Sequence, residues 1–498
     1  MKRITRREAL KLGALASGSS LLLSVALGYR GYTAGIGSPK VKPFTLPFRV
    51  PPVLQPVRSD ATTDYYELKM CKASIEILPG KQTLIWGYNG IFPGPTIKQR
   101  QDRQSVIRFI NDLGTSTSVH LNGMASLPQY DGYAQDLTPP GYYKDYIYPN
   151  NRAATMWYHD HAIHETAHNV YMGLAGMYLV QDDLELDLPL PKGDYDVPLF
   201  LMDKIFADNG EQIFDDQGKT SLMGDVITVN GVQWPRMEVA NRKYRFRLLN
   251  GSISRAYNLA LSTGDNFIMI GTDGGLMSEP IPTKNFRIAM AERYEFIIDF
   301  SKYPLGTQVV LQNLQFPTNN YDGTNQIMRF DVVREESDDS SIPSKLRHVE
   351  AISTDEAVRF REFRYDWIGG VWTINAKTWE KNRVDGNPQL GDVEIWRLSN
   401  NTGGWFHPIH LHLIDCQILD RNGNKPFPYE RGWKDVFYVG ENESVRVIGK
   451  FGPHTGLFMS HCHNAVHEDY DMMNQFQVGQ GGSDPMSAPA QPLPAPPL

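Results

Sequence analysis

The sequence predicts an all-β protein built of about three sandwich domains. Three observations carry this expectation. Short alternating or β-rich runs dominate the body, among them YYELKMCKASIEIL, QSVIRFIND, YRFRLLN, YEFIIDF, TQVVLQNL and ESVRVIGKF. Side chains on a strand alternate between faces, so such runs fit half-buried strands. Clusters of Gly, Pro, Asn and Asp separate them, and long helical periodicity is largely absent. At roughly 150 residues per domain, 498 residues make about three domains.

The first segment, MKRITRREALKLGALASGSSLLLSVALG, carries five cations among eleven residues, followed by a weakly apolar run. That run is short and diluted by Gly and Ser, which favours a signal over a membrane span. Thr5-Arg6-Arg7-Glu8-Ala9-Leu10-Lys11 resembles a twin-arginine export signal, with Ser24-Val25-Ala26 a candidate cleavage site. Residues 1–37 are therefore set apart from the fold, and the mature protein is expected in the periplasm or outside the cell. Residues 38–187 form the first expected domain. DLELDLPLPKGDYDVP reads as a linker into the second, residues 188–340, where ITVNGVQWPRMEVANRKYRFRLLNGS opens a new unit. The polar run REESDDSSIPSK separates it from the third, residues 341–478. The Gly-, Ser- and Pro-rich tail, 479–498, is expected to be disordered. There is no strict repeat, although IFPGPTI and ITVNGVQWP look like analogous openings of related domains.

Charge and cysteine content narrow the function. A net charge of -7 without a basic cluster in the body argues against nucleic acid. Three cysteines, Cys71, Cys416 and Cys462, do not make a disulfide scaffold. Cys71 and Cys416 are read as buried thiols, with an inter-domain disulfide the lesser alternative.

Of 13 histidines, nine lie in four short motifs. These are HLNG with His120, WYHDHA with His159 and His161, WFHPIHLH with His407, His410 and His412, and HCHNAVHEDYDM with His461, His463 and His467. On a strand, residues i and i+2 share a face. His159 and His161 can thus reach one site together, as can His410 and His412. In His461-Cys462-His463 the imidazoles face one way and the thiol the other, so one tripeptide touches two metal sites. His407 stands at odd parity to His410, with Pro408 bending the chain, and can face the cysteine's site. Cys462, His407 and His467 with Met472 form a blue-copper donor set. Zinc also takes Cys and His, but explains neither the long all-β body nor the second group of imidazoles. Copper is the expected metal.

With these motifs, and with NGIFPGPTI, DGYAQD, YRFRLLNGSISR and GTDGG in the same order, the chain resembles three-domain bacterial multicopper oxidases of the laccase and bilirubin-oxidase type. The resemblance implies three cupredoxin-like Greek-key β-sandwiches with a copper cluster between the first and third. It implies four coppers. His407, Cys462, His467 and Met472 would hold the type 1 ion, and His120 and His410 the type 2 ion. His161, His412 and His463 would hold one type 3 ion. His159 and His461 would hold the other, with a third ligand expected at position 122. The implied reaction is one-electron oxidation of small donors and reduction of dioxygen to water. Asp131 and Glu468 match acidic positions that supply protons; a turn carboxylate and a surface acid are the plainer readings. The expected partners are a small-molecule donor and dioxygen, with no membrane for the mature protein and a monomeric chain.

Position 122 holds asparagine. Its amide offers a neutral oxygen where imidazole suits copper better. One type 3 ion is then expected to bind weakly, leaving a blue type 1 centre with slow oxygen turnover. Asn122 is either natural divergence or an engineered substitution in an otherwise active enzyme. Rescue by His164 or His168 is the lesser option, both reading as surface or loop residues. His348 and His454 are given no role.

Phenols, aminophenols, aryl amines and bilirubin-like tetrapyrroles are the expected donors. Met472 implies a lower potential than an apolar axial residue would. Trp405, two before His407, resembles a tryptophan of bilirubin oxidases or is simple packing. No Met-rich insertion is visible among 17 methionines, which weakens a cuprous-oxidase reading and leaves manganese open. The rival from another class is a copper-depleted exported scaffold. Such proteins lose ligands broadly, whereas here one expected ligand of about twelve is changed.

Overall fold

The computed structural model describes residues 37–315 and 321–498. The expected signal lies outside the described residues, apart from Gly37. Residues 38–498 form one compact unit.

That unit is mostly β-structure, arranged as three pairs of sheets in chain order. Each pair begins with the same device, a parallel pairing of two strands that are not neighbours in sequence or that are joined by a long crossing. Thr63–Glu76 runs parallel to Gln104–Asp112, Asp196–Lys204 to Lys243–Asn250, and Ala357–Ile368 to Val393–Asn400. The repeat invisible in the letters is therefore present in the topology. Alternation does what strand geometry requires. In Thr63–Glu76 the residues Tyr66, Leu68 and Met70 are buried, while Glu67 and Lys69 between them are exposed.

Two four-stranded sheets position the site. In the first sandwich, Val119–Asn122 pairs antiparallel with Ala154–Asp160, setting His120 opposite His159 and Asn122 opposite Trp157. In the third, His407–Leu411 pairs with Gly456–Cys462, setting His410 opposite His461 and Ile409 opposite Cys462. Both strand pairs thus place a histidine directly across from a histidine.

The connections are less passive than their composition suggests. The expected linker contains a short helix, Asp183–Asp187, capped by the Asp182 side chain. Its Glu185 is buried, with Oε1 2.7 Å from Arg247 and 3.0 Å from Arg245 in the second sandwich. The tail departs from the expected disorder. Gln491–Pro492 pairs with Tyr142–Tyr143, the Leu493 amide donates to Gly141 O at 3.0 Å, and Arg108 donates to Pro496 O. A sheet edge offers unpaired backbone groups to any extended segment, even a proline-rich one. Cys71 and Cys416 are free thiols, so the disulfide alternative does not hold.

Candidate metal centre

All eleven histidine, cysteine and methionine residues expected as ligands are buried. Around Cys462, the His407 Nδ1 lies 3.3 Å from Sγ, the His467 Nδ1 3.7 Å from Sγ, and the two Nδ1 atoms 3.2 Å apart. Two nitrogens each about 2 Å from one ion at a tetrahedral angle stand about 3.3 Å apart. The three atoms therefore fit ligands around one ion. Met472 is fully buried in the same core, and its carbonyl accepts from the Cys462 amide at 3.0 Å.

Above the opposite face, His120 Nε2 and His410 Nε2 are 3.2 Å apart. His461 Nε2 lies 3.2 Å from both His161 Nε2 and His412 Nε2. The structure therefore exchanges two expected ligands. His461, not His463, joins His161 and His412. His463 faces His159 instead, with ring centroids 5.2 Å apart. Strand parity places 461 and 463 on one side, but does not say which site each reaches. His461 is inside the strand, across from His410, while His463 lies beyond its end.

The tautomers fit a metal. A histidine ligand donates its other ring N–H to an acceptor. His120 Nδ1 donates to Asp131 O, His410 Nδ1 to Asp435 O at 2.9 Å, and His159 Nδ1 to Asp160 O at 2.8 Å. His412 Nδ1 donates to Asp131 Oδ2 at 2.7 Å. Each leaves its Nε2 lone pair facing inward. Around Cys462 the roles reverse, since His467 Nε2 donates to Thr220 O at 2.8 Å and His407 Nε2 to Thr402 Oγ1 at 3.1 Å. The Nε2 atoms of His159 and His463 are buried without any partner. Such orphaned nitrogens are costly unless something binds them. Burial holds these imidazoles below their usual pKa, hence neutral and able to ligate. It also pushes the Cys462 thiol up, a cost that a bound cation offsets by taking the thiolate. The residues fit copper.

The two acids stand at the imidazoles rather than at the surface. Glu468 is buried, with Oε1 3.2 Å from His161 Nε2 and Oε2 3.0 Å from His461 Nδ1. Asp131 is buried beneath His120 and His412, and burial raises its pKa well above the usual carboxylate range. Gly132 makes that seat possible. At φ +80°, any Cβ there would come within 2.4 Å of Val119 O and 2.6 Å of the His120 Cα.

Asn122 is fully buried, and its orientation is set by chemistry. The Trp157 indole N–H, which can only donate, meets Asn122 Oδ1 at 2.8 Å. The amide NH2 therefore points the other way, 3.2 Å from Asp435 Oδ1 and 3.2 Å from His410 Nε2. Burial would raise the Asp435 carboxyl, but the Arg293 guanidinium, 2.5–2.7 Å away, holds it well below the usual range. Asp435 is thus a fixed anion that keeps the amide turned. Neither Trp157 nor Asp435 was among the residues predicted from sequence. Trp157 had a signal, being on the same strand face as His159, on which it stacks at 4.0 Å. Asp435 had none. His164 and His168 contact Asp469, Trp86 and Phe214, and no cluster imidazole.

Comparison with known proteins covers all three sandwiches. Family models for multicopper oxidase domains match residues 69–185, 204–328 and 341–482. A bilirubin oxidase of Albifimbria verrucaria is 40% identical over 473 residues, spanning 89% of this chain and 82% of that protein. A laccase of Bacillus subtilis is 33% identical over 502 residues, spanning 86% and 97%. The crystal structure of a laccase from Pediococcus acidilactici superposes with a TM-score of 0.82 at 32% identity, covering 90% of this chain and 97% of that one. The chain belongs to the multicopper oxidase family, copper-dependent oxidoreductases that use dioxygen as electron acceptor.

Proposed function

We propose that this protein is a laccase- or bilirubin-oxidase-like enzyme that oxidises phenolic, aryl-amine or tetrapyrrole donors, with one position of its oxygen-reducing cluster weakened by Asn122. The observation that carries the reading is the placement of Cys462 between two imidazoles that face a second site. Cys462 with His407, His467 and Met472 would hold the type 1 copper. His120 with His410 would hold the type 2 ion, and His161, His412 and His461 one type 3 ion. His159 and His463 remain for the other. When bound, the coppers supply one-electron acceptance from donors and the four-electron reduction of dioxygen to two waters.

The protein's own groups supply wiring and protons. The peptide links from Cys462 to His461 and His463 give a covalent path between the sites. Asp131, raised in pKa and bonded to His412, holds a proton near the cluster, and Glu468 touches two more ligands. Asn122 presents an NH2 group, a donor with no lone pair to give a metal, so the third ligand of one type 3 ion is missing. Fewer than four coppers per chain and slow oxygen use follow. Measuring bound copper and oxygen consumption with a phenolic donor tests this. Four tightly held ions with rapid uptake would overturn the impairment, and absence of any copper-dependent oxidation would overturn the enzyme reading.

Among the described residues no helix is long and apolar enough to cross a membrane. The N-terminal Arg6-Arg7 segment is read as directing export of the already folded, copper-loaded chain.

A further inference from the structure

The four candidate type 1 ligands, His407, Cys462, His467 and Met472, are each 0% exposed. No donor molecule touches them directly. The cavity beside them, of about 480 Å³, is walled by Phe214, Trp367, Trp372 and Tyr470, with Glu165 among its polar lining. That volume and aromatic lining suit one or two rings of a donor. One hairpin, Trp367-Ile-Gly-Gly-Val-Trp372, both lines the cavity and packs on a candidate ligand, His467.

The hairpin's geometry is specific. Gly369 and Gly370 form its two-residue turn with φ of +61° and +84°, the conformation a tight β-hairpin needs. The turn fixes the register that sets Trp367 opposite Trp372. Their ring centroids are 4.3 Å apart. Trp372 in turn stacks on the His467 imidazole at 3.7 Å with an interplanar angle of 29°. Its N–H donates to Lys219 O at 2.7 Å, which locks the ring in place. Trp367 is only half-buried and meets the cavity, while Trp372 is fully enclosed. Electronic coupling falls steeply across gaps, so π-systems in van der Waals contact couple far better than separated ones. An unbroken file of rings therefore runs from the cavity to the metal ligand.

We propose that Trp367 and Trp372 are the electron inlet of this enzyme: an aromatic donor stacks on Trp367, and its electron crosses Trp372 to His467. The proposal rests on the type 1 reading of Cys462 and adds how electrons reach it. A phenol or aryl amine would give up one electron, which a copper held by His407, Cys462, His467 and Met472 would accept when bound. Its proton leaves to Glu165 at the cavity or to solvent, and the donor departs as a neutral radical. Trp367 is the residue that touches substrate. Trp372 acts through His467.

Two measurements separate contact from conduction. Calorimetry on the copper-free protein uses acetanilide, an aryl amide too hard to oxidise to serve as donor. Trp367→Leu should weaken its binding about tenfold, the loss of one good aromatic stack. Trp372→Leu should change that binding less than Trp367→Leu does, since its ring, though part of the cavity wall, has no exposed surface of its own. Stopped-flow reduction of the blue absorption by a phenolic donor without oxygen reads the electron step alone. Trp372→Leu should retain the blue band and be reduced about tenfold more slowly or worse. Trp372→Phe keeps a stacked ring and should fall between, which preserves the test if the leucine variant does not fold. A blue parent whose Trp372→Leu and Trp372→Phe variants are reduced at the parental rate overturns the relay alone. A copper-loaded parent that stays colourless overturns the site reading and the relay together.

Discussion

Replacing Asn122 by histidine should cost stability without copper and confer it with copper. Asn122 now satisfies two buried groups, accepting from Trp157 Nε1 at 2.8 Å and donating to Asp435 Oδ1 at 3.2 Å. An imidazole directed at the cluster as a ligand leaves the indole N–H without an acceptor. A buried donor stripped of its partner costs about 1–3 kcal/mol. The Asp435 carboxylate loses less, because Arg293 remains on it. Chemical unfolding of the copper-free Asn122→His variant should therefore show a loss of about 1–3 kcal/mol against the parent. Copper reverses the sign, since a ligand bound 100-fold above its Kd adds about 2.7 kcal/mol to the folded state. The same variant should bind one more tightly held copper per chain and consume oxygen faster. A copper-free variant as stable as the parent, together with unchanged copper content, would refute the reasoning about the turned amide.

Other consequences follow from the same contacts. Trp157→Phe removes the N–H that holds Asn122 Oδ1, freeing the amide to turn; copper content should rise toward that of Asn122→His, as read by metal analysis. Asp131→Asn takes a titratable proton from beside His412 and should slow oxygen consumption about 10²-fold while leaving anaerobic reduction of the blue band unchanged. Asp64 is held to a pKa of about 2, chiefly by hydrogen bonding from Arg103. Its folded value lies below the unfolded one, so its contribution is present above about pH 4 and fades as pH falls towards 2. Arg103→Gln should therefore cost about 1 kcal/mol at pH 7, discounted for partial exposure, and the gap in urea midpoints should close by pH 2.

The fold class and the buried candidate ligand residues were legible because both follow from short-range rules. Period-two alternation marks strands, and i, i+2 spacing puts paired imidazoles on one face. What parity could not give is depth along the strand. Parity puts His461 and His463 on one side but does not say which imidazoles each meets, and the pairing of His410 with His461 shows how far each reaches. The proline-rich tail was misread for a related reason. Composition describes what a segment does alone, and Gln491–Pro492 owes its strand to an edge supplied by Tyr142–Tyr143, far away in sequence. Asp435 and Arg293, which hold Asn122 in place, come from different sandwiches, and no local pattern announces them. The WIGGVW hairpin carried a readable turn signal, but its meaning needed the stack of Trp372 on His467.

The most direct test of the account is a crystal structure of the copper-loaded protein with anomalous scattering recorded at the copper edge. Full peaks are expected beside Cys462, His407 and His467, between His120 and His410, and among His161, His412 and His461. A weak or absent peak is expected beside His159 and His463, with the Asn122 NH2 still turned towards Asp435. Four equal peaks with the Asn122 oxygen on the metal, or no peak at Cys462, would contradict it.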